Sequence, residues 1–423
     1  MLTSTDFIEN LSTLISYKTM LGKEQPGAPF GIENKKALDF FLSLAKSFGF
    51  ETINHEGYAG EIIFGEGEEI GIIGHLDVVP TGLGWQSDPF SLVFKDGFYC
   101  GRGLVDDKGP TLMCLYALKE LKDSCLAVNK KFRLFVGCNE EKGWNDLKYL
   151  TKKTTLPEYG FSPDGNFPVS YAEKGVLNAT FTLPKLKNFY NLSAGTAINV
   201  VCDYASVYAT QDGINHQLLK KHGLSLKDGN LIESFGKAAH SSTPDLGVNA
   251  IKPLFEYFLD MGENVKNAVD YLFNDKSGFA KMQNEQGTVT IAPTIAFSEQ
   301  DKTMVRVNFR VPAPFTANDI CKKLDTFGYP YEYVESHVPV MVEKDGWFVN
   351  TMLKSFSAVT KMPAKPISMG GSTFARAFKK GCAFGPDFLT YSTNIHDANE
   401  RISLEDLEKA YSIYKTAIFE FAK

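Results

Sequence analysis

The sequence is short of several things, and each shortage removes a class of protein. No apolar stretch approaches the ~20 residues that a membrane-spanning helix requires. Basic charge is not in excess: 44 lysines and arginines stand against 50 aspartates and glutamates, a net charge of −6, and no Lys/Arg run could serve as a basic arm. That balance argues against a nucleic-acid partner. Cysteine is sparse, with seven residues at 100, 114, 125, 138, 202, 321 and 382 and no C-x-x-C pair. An odd, scattered set fits a reducing compartment rather than a disulfide scaffold, and Cys114 and Cys138 lie in apolar runs, as reduced core thiols do. Asp6 and Glu9 stand where a secretory signal needs positive charge and then an apolar core. A G-x-S-x-G nucleophile elbow is also missing, which disfavours a serine hydrolase. The expectation is a cytoplasmic protein with neither a membrane nor a nucleic-acid partner.

What is present is an ordinary globular composition, 43% hydrophobic and 22% charged over 423 residues, enough for two or three domains. Residues 4–20 carry Phe7, Leu11, Leu14 and Ile15 at helical spacing, and a second helix is expected from Asn34 to Phe48. Short strands follow around Thr52, Ile62 and Ile72, then a hairpin over 89–100 turning at Asp96-Gly97. A helix over Thr111–Lys122, a buried strand over Lys131–Gly137 and a short strand at Tyr159–Phe161 continue the alternation of an α/β sheet. From Val176 the texture changes. Strand-like runs at 176–183, 200–209, 231–235, 288–296 and 304–311 alternate with helices at 217–221, 248–261 and 317–327, as in a separate α+β domain. The α/β pattern returns after Glu343, and Ser403 can cap the last helix with Asp406 three residues on. One α/β domain in two parts, 1–175 and 346–423, interrupted by an inserted domain at 176–345, is the simplest layout.

Chemistry concentrates at Gly74-His75-Leu76-Asp77-Val78-Val79-Pro80, after the apolar Ile70, Ile72 and Ile73. At the end of a buried strand, residues two apart share a face, so His75 and Asp77 emerge together. Such a pair can be a metal ligand and the group that orients it; taken alone, it is more often a satisfied surface contact. Further acids follow strand-like runs or glycine-bounded loops at Asp106/Asp107, Glu140/Glu141 and Asp164, and His396 precedes the final helix. Singly, Glu140-Glu141 reads as a solvated loop, Asp106-Asp107 as a helix N-terminal pair favoured by the dipole, and His396 as a surface histidine. In an α/β sheet, however, these strand ends converge on one rim. So many carboxylates there repel one another unless a cation joins them. Two imidazoles and three carboxylates, one of them bridging, suit a pair of zinc or manganese ions. Two ions ~3.5–4 Å apart can share one water, lower its pKa toward ~7 and polarise a carbonyl, leaving a spare carboxylate as general base.

These motifs, with Trp85 to Phe90, Gly101 to Pro110, Glu140 to Trp144, Phe161 to Asp164, Glu173-Lys174-Gly175, Met369 to Thr373 and His396 to Glu400, stand in an order that resembles one family. It is the dinuclear metallopeptidase group of the aminoacylase/carboxypeptidase-G type, and within it the bacterial peptidase V (Xaa-His dipeptidase-like) branch. The resemblance runs over essentially the whole chain. It implies a mixed α/β, phosphorylase/hydrolase-like catalytic domain with an inserted α+β lid, a doubled ferredoxin-like unit. It makes His75, Asp106 and Asp164 the ligands of one metal, with Asp106 bridging to a second held by Glu141 and His396. Asp77 would orient and polarise His75, and Glu140 would act as general base on a bridging hydroxide. The Asp106–Asp107 peptide is expected to be cis. His240 would stabilise the oxyanion, while Asn199, Arg310 and the Gly370-Gly371-Ser372 loop would contact substrate. Histidines 55, 216, 222 and 337 match no motif and are expected at the surface.

The implied activity is a metal-dependent dipeptidase acting on unblocked dipeptides, with zinc, or alternatively manganese, as cofactor. An N-acyl-amino-acid deacylase is the alternative within the family, and an inactive peptide-binding protein the alternative outside enzymes; the latter predicts a broken ligand set. The chain departs from many relatives at Asn139, where Asp or Gly precedes the Glu-Glu pair, and it is somewhat short for the branch. A doubled lid that covers its own site implies a monomer.

Overall fold

A computed structural model describes residues 5–124 and 126–423; residue 4 of the first expected helix and Cys125 lie outside them. The chain forms two compact units. The first comprises the described residues up to Tyr171, with Val342–Ile367 and Thr373–Lys423; the second is Ala172–Met341 with Ser368–Ser372.

The first unit is built on a sheet whose strands lie in the order Glu51–His55, Ala59–Phe64, Lys130–Gly137, Glu68–His75, Tyr159–Ser162 and Lys380–Ala383. The last four are parallel, and the first two are an antiparallel hairpin at one edge. Both Lys130–Gly137 and Glu68–His75 are buried over their last six residues, which is why their sequences read as unbroken apolar runs. Parallel pairing in the register His75↔Gly137 sets the C-terminal ends of these strands side by side.

Helices cover both faces. Helix Lys108–Asp123 lies on one, with Leu404–Phe421 against it and Trp347–Thr360 beyond. The approach is close at Gly74, where an added Cβ would fall 1.8 Å from Thr111 Oγ1 and 2.5 Å from Asp107 Oδ2. Glycine is therefore required at the last turn of the strand before His75. On the other face Ile73, Phe135, Leu150, Phe374 and Phe378 make a core cluster. Helix Leu404–Phe421 begins as its sequence indicates: Ser403 Oγ accepts from Asp406 N–H at 3.0 Å, and Leu407, Tyr411, Tyr414 and Ile418 are buried. The hairpin Val93–Lys95/Phe98–Cys100 turns through Asp96 and Gly97, with φ of 53° and 84°, as a two-residue Asp-Gly turn demands. Cys114 and Cys138 are buried free thiols.

The second unit is one eight-stranded antiparallel sheet, in the order Ser225–Lys227, Leu231–Phe235, Tyr204–Ala209, Phe189–Ala194, Thr290–Glu299, Lys302–Val311, Gly175–Pro184 and Tyr331–His337. Eight strands are twice the complement of one βαββαβ unit. Helices Ile251–Asp260 and Ala317–Leu324 bring Leu254, Phe255, Phe258, Ile320 and Leu324 into a core with Phe181, Val207, Val305 and Phe309. An α/β unit with an α+β insert is the fold class that the sequence pattern indicates.

Several elements differ locally from the sequence reading. The first helix ends at Ser16 rather than residue 20, and the third begins at Lys108, because Pro110 is compatible with a first helical turn. Only Tyr204–Ala209 of the expected 200–209 strand pairs in the sheet; Val200 instead makes an isolated bridge with His240. Helix Asn145–Lys153 and strands Phe189–Ala194 and Tyr331–His337 are additional. Among the described residues no helix is long and apolar enough to cross a membrane.

Candidate active site

His75 closes its strand almost fully buried. Its Nδ1 lies 3.0 Å from the Asp77 carbonyl oxygen, and its Nε2 is 3.0 Å from Asp106 Oδ1 and 3.8 Å from Asp164 Oδ2. Asp106 sits just before helix Lys108–Asp123, and the Asp106–Asp107 peptide is cis. Its other oxygen, Oδ2, is 2.9 Å from His396 Nε2, which is in turn 3.2 Å from Glu141 Oε2. One aspartate thus stands between two imidazoles that are more than three hundred positions apart in the chain.

Two trios result, His75–Glu140–Asp164 and Asp106–Glu141–His396. Within each, the candidate ligand atoms lie within 4.8 Å of one another. Every sequence-derived metal-ligand candidate falls in one of them, and so does Glu140. His75, Asp164 and the Glu140–Glu141 turn all follow strand ends of the parallel sheet, while Asp106 and His396 arrive on loops.

Asp77 makes a contact its spacing did not reveal. Its carboxylate accepts the backbone N–H of Glu140 on Oδ1 at 3.0 Å and that of Glu141 on Oδ2 at 3.1 Å. The His75 ring meets the Asp77 main chain first, with the carboxylate 3.5 Å away. Asp77 therefore orients the histidine through its carbonyl and the glutamate pair through its side chain.

Three further carboxylates support the site, and the sequence reading gave none of them this part. Asp107 Oδ2 accepts His75 N–H at 3.2 Å and the Thr111 hydroxyl at 2.8 Å. Asp146 Oδ2 accepts the N–H groups of Cys138 and Asn139, both at 2.7 Å, beneath the Glu140–Glu141 turn. Glu400 accepts N–H groups from the loop that carries Asp106. Most of these partners are backbone N–H groups, which leave no trace in a motif.

Electrostatically the rim is short of positive charge. Burial raises the carboxyl pKa of Glu140, Glu141 and Asp164, and the neighbouring carboxylates add to it. Burial disfavours charge on His75 and His396 as well, yet contact with Asp106, together with Asp77 or Glu141, outweighs it and raises both imidazoles. Burial also pushes up Asp106, but the two imidazoles pull it far below the usual carboxyl range. His75 Nε2 and Glu141 Oε1 are buried without a hydrogen bond. Orphaned nitrogen and oxygen donors amid crowded carboxylates fit divalent cations.

The remaining candidates belong to the second unit and gather there among themselves. Arg310 donates from Nη1 to the Gly370 carbonyl at 2.9 Å and from Nη2 to Ser241 Oγ at 3.2 Å. Ser241 N–H donates to the Asn199 carbonyl at 2.9 Å, and His240 Nδ1 is 2.6 Å from Ser242 Oγ. An added Cβ on Gly370 would lie 2.6 Å from Ser242 Cβ, so this loop seats closely on the His240 turn. Gly371 and Ser372 complete the loop, and the Ser372 hydroxyl is buried without a hydrogen bond. Of the histidines expected at the surface, His55 and His222 are instead mostly covered, with 10% and 9% of the side chain exposed, beside Glu61 and Asp260. Their carboxylate partners draw the rings inward.

Comparison with known proteins gives a consistent picture. The profile described as Peptidase family M20/M25/M40 matches residues 71–420. The chain is 32% identical to "Putative dipeptidase YtjP" of Bacillus subtilis (strain 168), covering 94% of this chain and 93% of that protein. Among solved structures, human carnosine dipeptidase 1 superposes with a TM-score of 0.63 at 14% identity, over 99% of this chain and 96% of that one. The Bacillus subtilis YXEP protein, described as a dinuclear metal binding peptidase from the M20 family, gives a TM-score of 0.53 at 10% identity, over 98% and 99% of the two chains.

Proposed function

We propose, since this chain belongs to peptidase family M20/M25/M40, that it hydrolyses unblocked dipeptides with two divalent cations, zinc or alternatively manganese. The observation that carries the reading is the pair of histidine–carboxylate trios joined through Asp106 on one strand-end rim. His75, Asp106 and Asp164 are assigned to one cation, and Asp106, Glu141 and His396 to the other. When bound, the cations supply Lewis acidity that lowers the pKa of the attacking water and polarises the scissile carbonyl.

The chain's own groups do the rest. Glu140 takes the proton of the attacking water and delivers it to the leaving amine, while the Asp77 carboxylate fixes the Glu140 main chain. His240 is assigned to the oxyanion. Arg310 is assigned to the substrate's terminal carboxylate, which a guanidinium fork can hold through two bonds, and Asn199 and Gly370 to Ser372 complete that contact. These assignments in the second unit rest on family membership, as does its role as a lid in a cytoplasmic monomer. The relatives' names favour dipeptides over N-acyl amino acids.

A panel of free dipeptides and their N-acyl counterparts, given to the zinc- or manganese-loaded protein, tests the substrate class. Turnover of free dipeptides alone is expected; preference for the blocked series makes it a deacylase. Glu140→Ala is expected to abolish turnover with two ions still bound. Loss of one ion would instead make Glu140 a ligand in the His75–Asp164 trio.

A further inference from the structure

Glu400 belongs to neither trio, yet it is fully buried, four residues beyond His396. Its carboxylate is surrounded by donors. Oε1 accepts the N–H groups of Val105 at 2.7 Å and Asp106 at 3.2 Å. Oε2 accepts the Gly103 N–H at 3.0 Å and Arg102 Nη1 at 2.9 Å. Arg102, 1% exposed, sends Nη2 back to the carbonyls of Asp397 at 3.1 Å and Thr81 at 3.5 Å, and its guanidinium lies over the Trp85 ring. The Glu400 carbonyl accepts the Gly101 N–H at 3.1 Å.

The loop that delivers Asp106 and the loop that delivers His396 are therefore joined through one buried ion pair. The second loop needs such a restraint. Asn394, His396 and Asn399 all adopt positive φ, 55°, 63° and 62°, a region that non-glycine side chains seldom occupy without support from their surroundings. His75, Glu140 and Asp164, by contrast, are placed by strand ends and by bonds to Asp77 and Asp107 in which Glu400 takes no part.

We propose that Glu400, with Arg102, is a positioning residue that holds Asp106 in register with His396 and so sets the cation affinity of the Asp106–Glu141–His396 trio. The inference rests on the dinuclear reading above. Outer-shell partners of metal ligands typically govern affinity by about 10–100-fold, although here the grip is on the ligand's backbone rather than its ligating atom.

Zinc titration of the metal-free full chain against a chromophoric chelator tests it. Wild-type protein is expected to take two equivalents. In Glu400→Gln the second equivalent should bind about 10–100-fold more weakly, and the first, which shares Asp106 but keeps His75 and Asp164 on their strand ends, should weaken by less. Because Glu400→Gln leaves Arg102 buried and unpaired, the Arg102→Met/Glu400→Gln double variant is the companion. It is expected to recover thermal stability without recovering the second affinity, a split that a merely structural ion pair would not produce. Unchanged second-site affinity in either folded variant overturns the inference, and so does equal weakening of both equivalents. A wild-type chain that takes fewer than two ions overturns the dinuclear reading instead.

Discussion

Asp146 shows how a single residue can tie the site to pH. Burial, and then the charge of Asp77, push its carboxyl up to about 7, against ~3.9 for an unfolded aspartate. Between those values the folded chain keeps a proton that the unfolded chain has released. Its contribution is thus complete below ~4 and is lost as pH rises toward the folded value. Denaturant unfolding of the metal-free protein at pH 5 and pH 8 should show wild type losing on the order of 3 kcal/mol more than Asp146→Asn. Equal losses would remove Asp146 as the source. The legibility of the site also divides at this scale. The clustering of His75, Asp106, Glu141, Asp164 and His396 was legible because ligand chemistry restricts residue type, and because His75, Glu141 and Asp164 follow strand ends. Asp146 and Glu400 were not, since apart from the Arg102 guanidinium on Glu400 what they hold is main-chain N–H, and every residue but proline offers that donor.

Among elements, the Glu68–His75 strand and helix Lys108–Asp123 depend on each other through Gly74. A methyl group there meets Thr111 Oγ1 and Asp107 Oδ2, and overpacking of this kind costs about 1–3 kcal/mol. Gly74→Ala should therefore lower the unfolding midpoint, and adding Thr111→Ala should return part of the loss in a double-mutant cycle. Additive effects would mean the two residues do not meet. Elements with strong periodicity or turn chemistry, such as the Ser403-capped helix and the Asp96-Gly97 hairpin, were readable in advance. Asn145–Lys153 was not: only Asp146 and Leu150 of its nine residues are buried, too few to mark a stripe. Tyr331–His337 was missed for a similar reason, with no buried residue to create alternation.

For the whole molecule, every assigned cation ligand lies in the first unit. A ligand that binds only the folded state, present at a hundred times its dissociation constant, stabilises by ~2.7 kcal/mol. Chelation should accordingly abolish turnover and reduce hydrogen-exchange protection around residues 75–77, 106–107, 138–141 and 396–400. The sheet of the second unit should keep its protection. A loss shared equally by both units would contradict the assignment.

The spread of these ligands along the chain has a bearing on how the protein is made. A ribosome exposes His75, Asp106, Glu141 and Asp164 well before His396 and the Glu400 that steadies it. A nascent chain can gather one trio but has no means of closing the other. On the proposed ligand assignment, an amino-terminal fragment that stops before His396 would carry the first trio without the second, a half-built centre.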